Sequence, residues 1–185
     1  MRLRGATLRW RRLAPRPLLI AVLVLVPGFS AAAPASAQGV TCLGMAATLV
    51  GGPGDDTLIG TPGNDVISGG GGNDTISGGG GNDVICGDDG NDTISGGPGN
   101  DVLLGGNGND VIHGDDGRDQ ISGEAGDDVA YGDIDDDNVS GDSGNDRLFG
   151  NDGNDALSGG DGADYCNGGR GRDSADGTCE GMDGI

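Results

Sequence analysis

No lysine occurs in this 185-residue chain, histidine occurs once, and aromatic residues make up 3% of it. Each scarcity removes a class of function. Beyond its N-terminal segment the chain has only four basic residues, so it is not expected to hold nucleic acid or an anionic membrane surface. Zinc favours imidazole and thiolate ligands, and only His113 and four cysteines could supply them. There is no HExxH and no GxSxG, the short signatures that place a metal-activated water or a serine nucleophile, so catalysis is not expected. The one sustained apolar run, Leu18 to Val26, is too short to cross a bilayer.

That run is preceded by six arginines (Arg2, Arg4, Arg9, Arg11, Arg12 and Arg16) and followed by Ala35-Ser36-Ala37, a small-x-small cleavage site. Residues 1–37 therefore read as a secretory signal peptide, and the mature product is expected outside the cytoplasm: extracellular, periplasmic or in the cell wall. Arg11-Arg12 also admits a twin-arginine reading, for which Ala14-Pro15-Arg16 is a poor continuation. Cleavage would leave four arginines (Arg118, Arg147, Arg170, Arg172) against 30 acidic residues, a net charge of about −26. Such a chain resists compaction until something neutralises it. Permanent disorder fits that charge, but not the regular apolar positions described next. Collagen fails because its glycine period is three.

What the chain has in abundance is one nonapeptide, GGxGxDxUx with U apolar, repeated fourteen times from Gly51 to Asp176 without insertion or deletion. Place one is glycine and place six aspartate in all fourteen copies, place four is glycine in thirteen, and place eight is Ile, Leu, Val, Ala or Cys. The clearest copies are Gly69 to Ser77 and Gly105 to His113. Places one to six, rich in glycine, asparagine and aspartate, predict a tight turn, and places seven to nine a three-residue strand with the middle side chain inward. Two copies then make one coil of eighteen residues with a strand on each side. The fold class expected is all-β, a parallel β-roll or solenoid of the fourteen repeats over 51–176. Residues 38–50 are expected to form an N-terminal cap, and 177–185 a C-terminal cap or tail.

The array resembles the RTX, or hemolysin-type, calcium-binding repeats. In those proteins the same nonapeptide forms a calcium-binding parallel β-helix, so the link from motif to metal comes with the resemblance. Family members often carry the repeats as tails of toxins, proteases or lipases; this chain has no room for a catalytic domain beside its array, and its N-terminal signal departs from that pattern.

Ligand chemistry points the same way. Stacked coils place the aspartates of odd copies (Asp56, Asp74, Asp92, Asp110, Asp128, Asp146, Asp164) in one ladder and those of even copies (Asp65, Asp83, Asp101, Asp119, Asp137, Asp155, Asp173) in another. Neighbouring charges one coil apart, about 4.8 Å, repel by roughly 3–4 kcal/mol at an effective dielectric near 20. A hard dication between coils turns that repulsion into attraction. Calcium accepts six to eight oxygens in flexible geometry, whereas magnesium demands a stricter shell. All fourteen aspartates are thus candidate ligands, with backbone carbonyls completing the shell. The spaces between coils admit up to about twelve ions. One inward side chain per copy, worth roughly 1.5–3 kcal/mol on burial, falls short of the entropy of ordering nine residues, so metal binding should itself be folding energy.

Some positions depart from the pattern. Asp135 stands where other copies have the fourth glycine, which makes copy ten the expected weak point of the ladder. Asp133, Asp135 and Asp137 have the spacing of an EF-hand start, but Asn138 and Gly144 occupy the places of its glycine and bidentate glutamate. Cys42 to Val50 reads as a ligand-free copy, with Ala47 in the aspartate's place. Arg170 and Arg172 are placed to stand in for a missing terminal cation. Asparagine at place five is expected to form turns, and His113 to point outward. Four cysteines in a secreted chain allow three pairings; Cys166 with Cys179 and Cys42 with Cys86 is favoured by the nearness of the first pair. The second pair requires the lead-in to fold back along the roll, since Cys86 lies about two coils from the cap strand.

Two functions follow. The first is a secreted module that binds several Ca²⁺ ions and folds on binding them. The alternative is an extracellular adhesive or surface-recognition module for ice, sugar or matrix, using Thr57, Thr75 and Thr93 with Ser77 and Ser95 on one sheet of the calcium-stabilised roll. Val111, Val129 and Arg147 interrupt that hydroxyl array.

Overall fold

The computed structural model describes residues 40–184, and the proposed signal peptide lies outside them. Strands repeat with the period of the sequence and build a parallel β-solenoid of about seven coils, without helix among the described residues. One sheet stacks the strands of the seven odd copies, Thr57–Ile59, Thr75–Ser77, Thr93–Ser95, Val111–His113, Val129–Ile134, Arg147–Asp152 and Asp164–Arg170, and ends on Cys179–Asp183 beyond the repeats. The facing sheet begins on Leu49–Val50 ahead of the repeats and stacks the strands of the seven even copies, Val66–Gly71, Val84–Asp89, Val102–Asn107, Gln120–Ala125, Asn138–Ser143, Ala156–Asp161 and Ser174–Ala175. Within the repeats every rung advances by eighteen residues, as in Ile67 opposite Ile85 and Ile112 opposite Ala130.

The core is a single file from each sheet. Leu58, Ile76, Ile94, Ile112, Ala130, Leu148 and Cys166 come from one side and Ile67, Ile85, Leu103, Ile121, Val139 and Leu157 from the other, with Ala175 partly buried at the end. These are the eighth places, turned inward because alternate strand residues point to opposite faces.

The strands are longer than expected. Where three residues were predicted, several copies run for six, reaching the third place of the next copy, as in Val66–Gly71. Coil-to-coil bonds through the turn account for this: Gly71 N–H donates to Gly52 O at 2.8 Å and Gly72 N–H to Asp89 O at 2.8 Å. The turn backbone is thus paired along the stack like a strand. Left-handed angles fall at place two (Gly70, φ 102°) and place four (Gly72, φ 106°), but not at place one. Place one is glycine for lack of space: a Cβ on Gly78 would lie 2.5 Å from Gly96 O and 2.3 Å from Asp83 Oδ2.

Asp135 does take the left-handed angle required at place four, with φ of 80°. The expected break does not follow. Its N–H donates to Asp152 O at 2.8 Å as glycine does elsewhere, and aspartate is among the residues that tolerate this conformation.

At the N-terminal end, Thr41–Cys42 and Met45–Ala46 form an antiparallel hairpin that turns through Leu43 and Gly44, both left-handed. The hairpin carries Cys42 back along the roll to Cys86, with Cα atoms 5.7 Å apart. Leu49–Val50 then adds a rung below Val66–Gly71, and Ala47 is buried. At the other end Cys166 and Cys179 are bridged, again at 5.7 Å, and the last rung is irregular, Asp164 lying opposite Cys179 and Tyr165 opposite Gly181.

Candidate metal centre

Each place-six aspartate follows a turn and opens a strand, so its carboxylate is aimed into the edge of the roll. Asp74, Asp83, Asp92, Asp101, Asp110, Asp119, Asp128, Asp137, Asp146, Asp155 and Asp164 are at most 2% exposed. Asp56, Asp65 and Asp173, in the outermost coils, are half-buried.

The two oxygens of these carboxylates have different surroundings. Oδ1 accepts the backbone N–H of the place-six residue one coil earlier, from Asp56 N to Asp74 Oδ1 at 2.8 Å through Asp83 N to Asp101 Oδ1 at 2.7 Å to Asp155 N to Asp173 Oδ1 at 3.0 Å. The bond continues through copy ten, at 2.8 Å from Asp119 to Asp137 and 2.9 Å from Asp137 to Asp155. Oδ2 has no hydrogen-bond partner in Asp74, Asp83, Asp92, Asp101, Asp110, Asp119, Asp128, Asp137, Asp146, Asp155, Asp164 and Asp173, although it is buried in all of them. A buried carboxylate oxygen without a donor is costly, and a full column of them on each edge calls for a positive partner.

The space beside these oxygens is lined by further oxygens. Asp83 Oδ2 and Gly96 O flank the point where Gly78 would carry a Cβ, and Asp110 Oδ2 and Gly123 O flank the same point at Gly105. Place-two and place-four carbonyls point along the stack to the next coil: Gly52 O lies 2.4 Å from where Gly70 would carry its Cβ, and Gly72 O 1.9 Å from that point at Gly90. No three His, Cys, Asp or Glu side chains converge among the described residues, since each coil contributes its carboxylates singly and the other oxygens are main-chain. An all-oxygen set of carboxylates and carbonyls fits a hard cation such as calcium.

Burial, then crowding by neighbouring carboxylates, pushes Asp119, Asp128 and Asp137 up to about 7, against the opposing effect of the N–H bond. Asp74, Asp101 and Asp110 rise to about 6 from the same causes. The middle of the ladder is where negative charge is hardest to keep without a cation.

Other positions divide between roles foreseen and roles missed. Asn at place five closes the turn stack: Asn73 Oδ1 accepts Asn91 N–H at 2.8 Å and Asn91 Oδ1 accepts Asn109 N–H at 2.7 Å. The EF-hand spacing has no spatial counterpart, because Asp133 bonds His113, Asp135 is exposed and Asp137 belongs to the ladder. Arg170 does not stand in for a terminal cation. It reaches Asp152 at 3.4 Å on the outer surface, while Asp173 Oδ2 stays without a partner. Sequence reading passed over an interlock between place nine and the acidic place two twenty residues on. Ser68 Oγ donates to Asp88 Oδ2 at 2.5 Å, Ser95 Oγ to Asp115 Oδ2 at 2.5 Å, and His113 Nδ1 lies 2.9 Å from Asp133 Oδ2. His113 also opens a stack with Tyr131 and Phe149, centroids 4.5 and 4.9 Å apart, on the outward face.

No helix among the described residues is long and apolar enough to cross a membrane. No curated protein matches the chain. The family model for the RTX calcium-binding nonapeptide repeat matches residues 50–85, 87–121, 104–139, 113–148 and 140–175, spanning most of the solenoid. With glycine-rich turns stacked at eighteen-residue intervals and an aspartate of each turn aimed into the space between coils, the chain belongs to the family of RTX calcium-binding nonapeptide repeats.

Proposed function

We propose that the protein is a secreted calcium-binding module whose activity is the binding of several Ca²⁺ ions and the folding that binding drives. The observation that supports this best is the column of buried, donor-free Oδ2 atoms on each edge, beside carbonyl oxygens of the neighbouring coil. The place-six aspartates from Asp74 to Asp173 would hold the metal with those carbonyls. When bound, calcium would neutralise the ladders and satisfy the orphaned oxygens; the chain's part is to present oxygens at a fixed spacing. Secretion is supported by the N-terminal arginine-rich, apolar segment and by two disulfides, which persist in oxidising compartments. No catalytic step is assigned to the protein.

Calorimetric titration of the secreted protein with calcium, and separately with magnesium, tests the ligand argument. Strong binding of calcium with weak binding of magnesium is expected. Equal binding of the two ions contradicts it, because a site that accepts either would not depend on flexible, many-oxygen coordination.

A second reading, surface recognition, draws on one observation. Thr57, Thr75 and Thr93 stand in register on the outer face of one sheet, all exposed, with Ser77 and Ser95 in the next column. Triple substitution of the threonines by valine should abolish binding to an ice or glycan surface if this reading holds, while leaving calcium binding intact.

A further inference from the structure

The first coil is built differently from those that follow. In later coils the place-two residue is left-handed, and in Gly70 it leans on the place-two carbonyl of the coil before, Gly52 O. Among the described residues no repeat turn precedes the first coil, and neither Gly52 nor Thr61 is left-handed. Their N–H groups turn inward instead. Gly52 N–H donates to Asp56 Oδ2 at 2.6 Å, and Thr61 N–H to Asp65 Oδ2 at 2.6 Å, with the Thr61 hydroxyl on the same oxygen at 2.8 Å. Thr48 Oγ1 adds a contact to Asp65 Oδ1 at 3.3 Å.

The first-coil carboxylates are thus satisfied by the protein, in contrast to the twelve whose Oδ2 atoms are orphaned. Their oxygens are also drawn away from the shared space. Oδ2 lies 3.0 Å from the Cβ position of the place-one glycine at Gly51 and at Gly60, against 2.3 Å at Gly78 and Gly105. The next coil's carbonyl closes in, at 1.9 Å from that position at Gly51 and 2.0 Å at Gly60, against 2.5 Å at Gly78. A cation there would have to displace a charge-assisted hydrogen bond and face its N–H dipole.

Place three is proline in both copies of the first coil. In the second coil the place-three N–H donates backward, Gly71 to Gly52 O and Gly80 to Thr61 O. In the first coil Pro53 and Pro62 have no such donor, and Pro98 in the sixth copy shows that the same place also takes proline inside the stack.

Resting on the calcium reading of the later coils, we propose that Asp56 and Asp65 hold no calcium. They act as acceptors that close the first coil without metal, making it a preformed base on which the metal-filled coils stack. The ceiling then falls from about twelve ions to about ten, one fewer on each edge. Cys42–Cys86 and the rung at Leu49–Val50 tether this base to the chain at its N-terminal side.

The test is a calorimetric calcium titration of the full secreted protein beside three variants, Asp65→Asn, Asp56→Asn and Asp83→Asn. The two first-coil variants, on opposite edges, are independent checks should one fold poorly. Asp65→Asn and Asp56→Asn are expected to bind the same number of ions as the unaltered protein, with affinity within about twofold, whereas Asp83→Asn binds fewer ions and roughly tenfold or more weakly. Losses in Asp65→Asn and Asp56→Asn equal to that in Asp83→Asn overturn the inference and leave the calcium reading standing. Absence of any loss in Asp83→Asn overturns both.

Discussion

Glycine at place one and aspartate at place six serve the same cavity, one by leaving it empty and the other by lining it. Gly78→Ala would put a methyl against Gly96 O and Asp83 Oδ2, in the space that calcium is proposed to share. Gly54 has nothing within 4 Å of its Cβ position, and its backbone is not left-handed. Gly78→Ala should therefore cost about 1–3 kcal/mol in the calcium-bound state, the usual range for overpacking, while Gly54→Ala stays near neutral; thermal melts in calcium compare them. For the aspartates, position can be separated from charge. Asp83→Asn removes a ladder oxygen and Asp116→Asn an exposed carboxylate at a variable third place, with the same change in net charge. Calcium affinity should fall steeply in the first and little in the second. Equal losses would mean that bulk charge holds the ions.

At the scale of the coil, the carboxylate ladder ties folding to pH as well as to metal. Asp119, Asp128 and Asp137 stand near 7 in the metal-free roll against an ordinary value of 3.8, so the folded state binds more protons than the unfolded chain. Their stabilising contribution is full below about pH 4 and is lost as pH rises towards 7. Acidifying the chelated protein from pH 8 to pH 5 should restore part of the β signal in circular dichroism. The calcium needed for half-folding should fall over the same interval, because protons already neutralise part of the ladder, while the calcium affinity of the folded roll weakens as protons compete. A chelated protein whose spectrum is independent of pH would argue against buried ladders. The coil length, the inward eighth place and the two columns of aspartate were all legible in the sequence, because a strict nine-residue period leaves one way to stack. Less legible were features set by contact between coils. The interlock of Ser68 with Asp88 joins residues twenty apart, the extended turns depend on bonds such as Gly72 to Asp89, and the first coil is closed by bonds within it, from Gly52 to Asp56 and from Thr61 to Asp65. Arg170 was misjudged for a related reason: it lies on the surface beside Asp152, outside the cavity that its place in the chain suggested.

The solenoid of the described residues is a narrow stack with one apolar file per sheet and a surface dominated by carboxylates. Its ends are held covalently, by Cys42–Cys86 and Cys166–Cys179, and no free cysteine is present among the described residues. Digestion under non-reducing conditions should recover those two pairs; a peptide joining Cys42 to Cys179 would contradict the stacking order at both ends. Between the ends, cohesion is left to coil-to-coil hydrogen bonds and to whatever neutralises the ladders. The measurement that tests this most directly is far-UV circular dichroism of the mature chain at neutral pH, titrated with calcium and then reversed with chelator. A largely disordered spectrum that gains β signal cooperatively as calcium is added, and loses it on chelation, is the expected result. Identical spectra with and without chelator would contradict metal-driven folding.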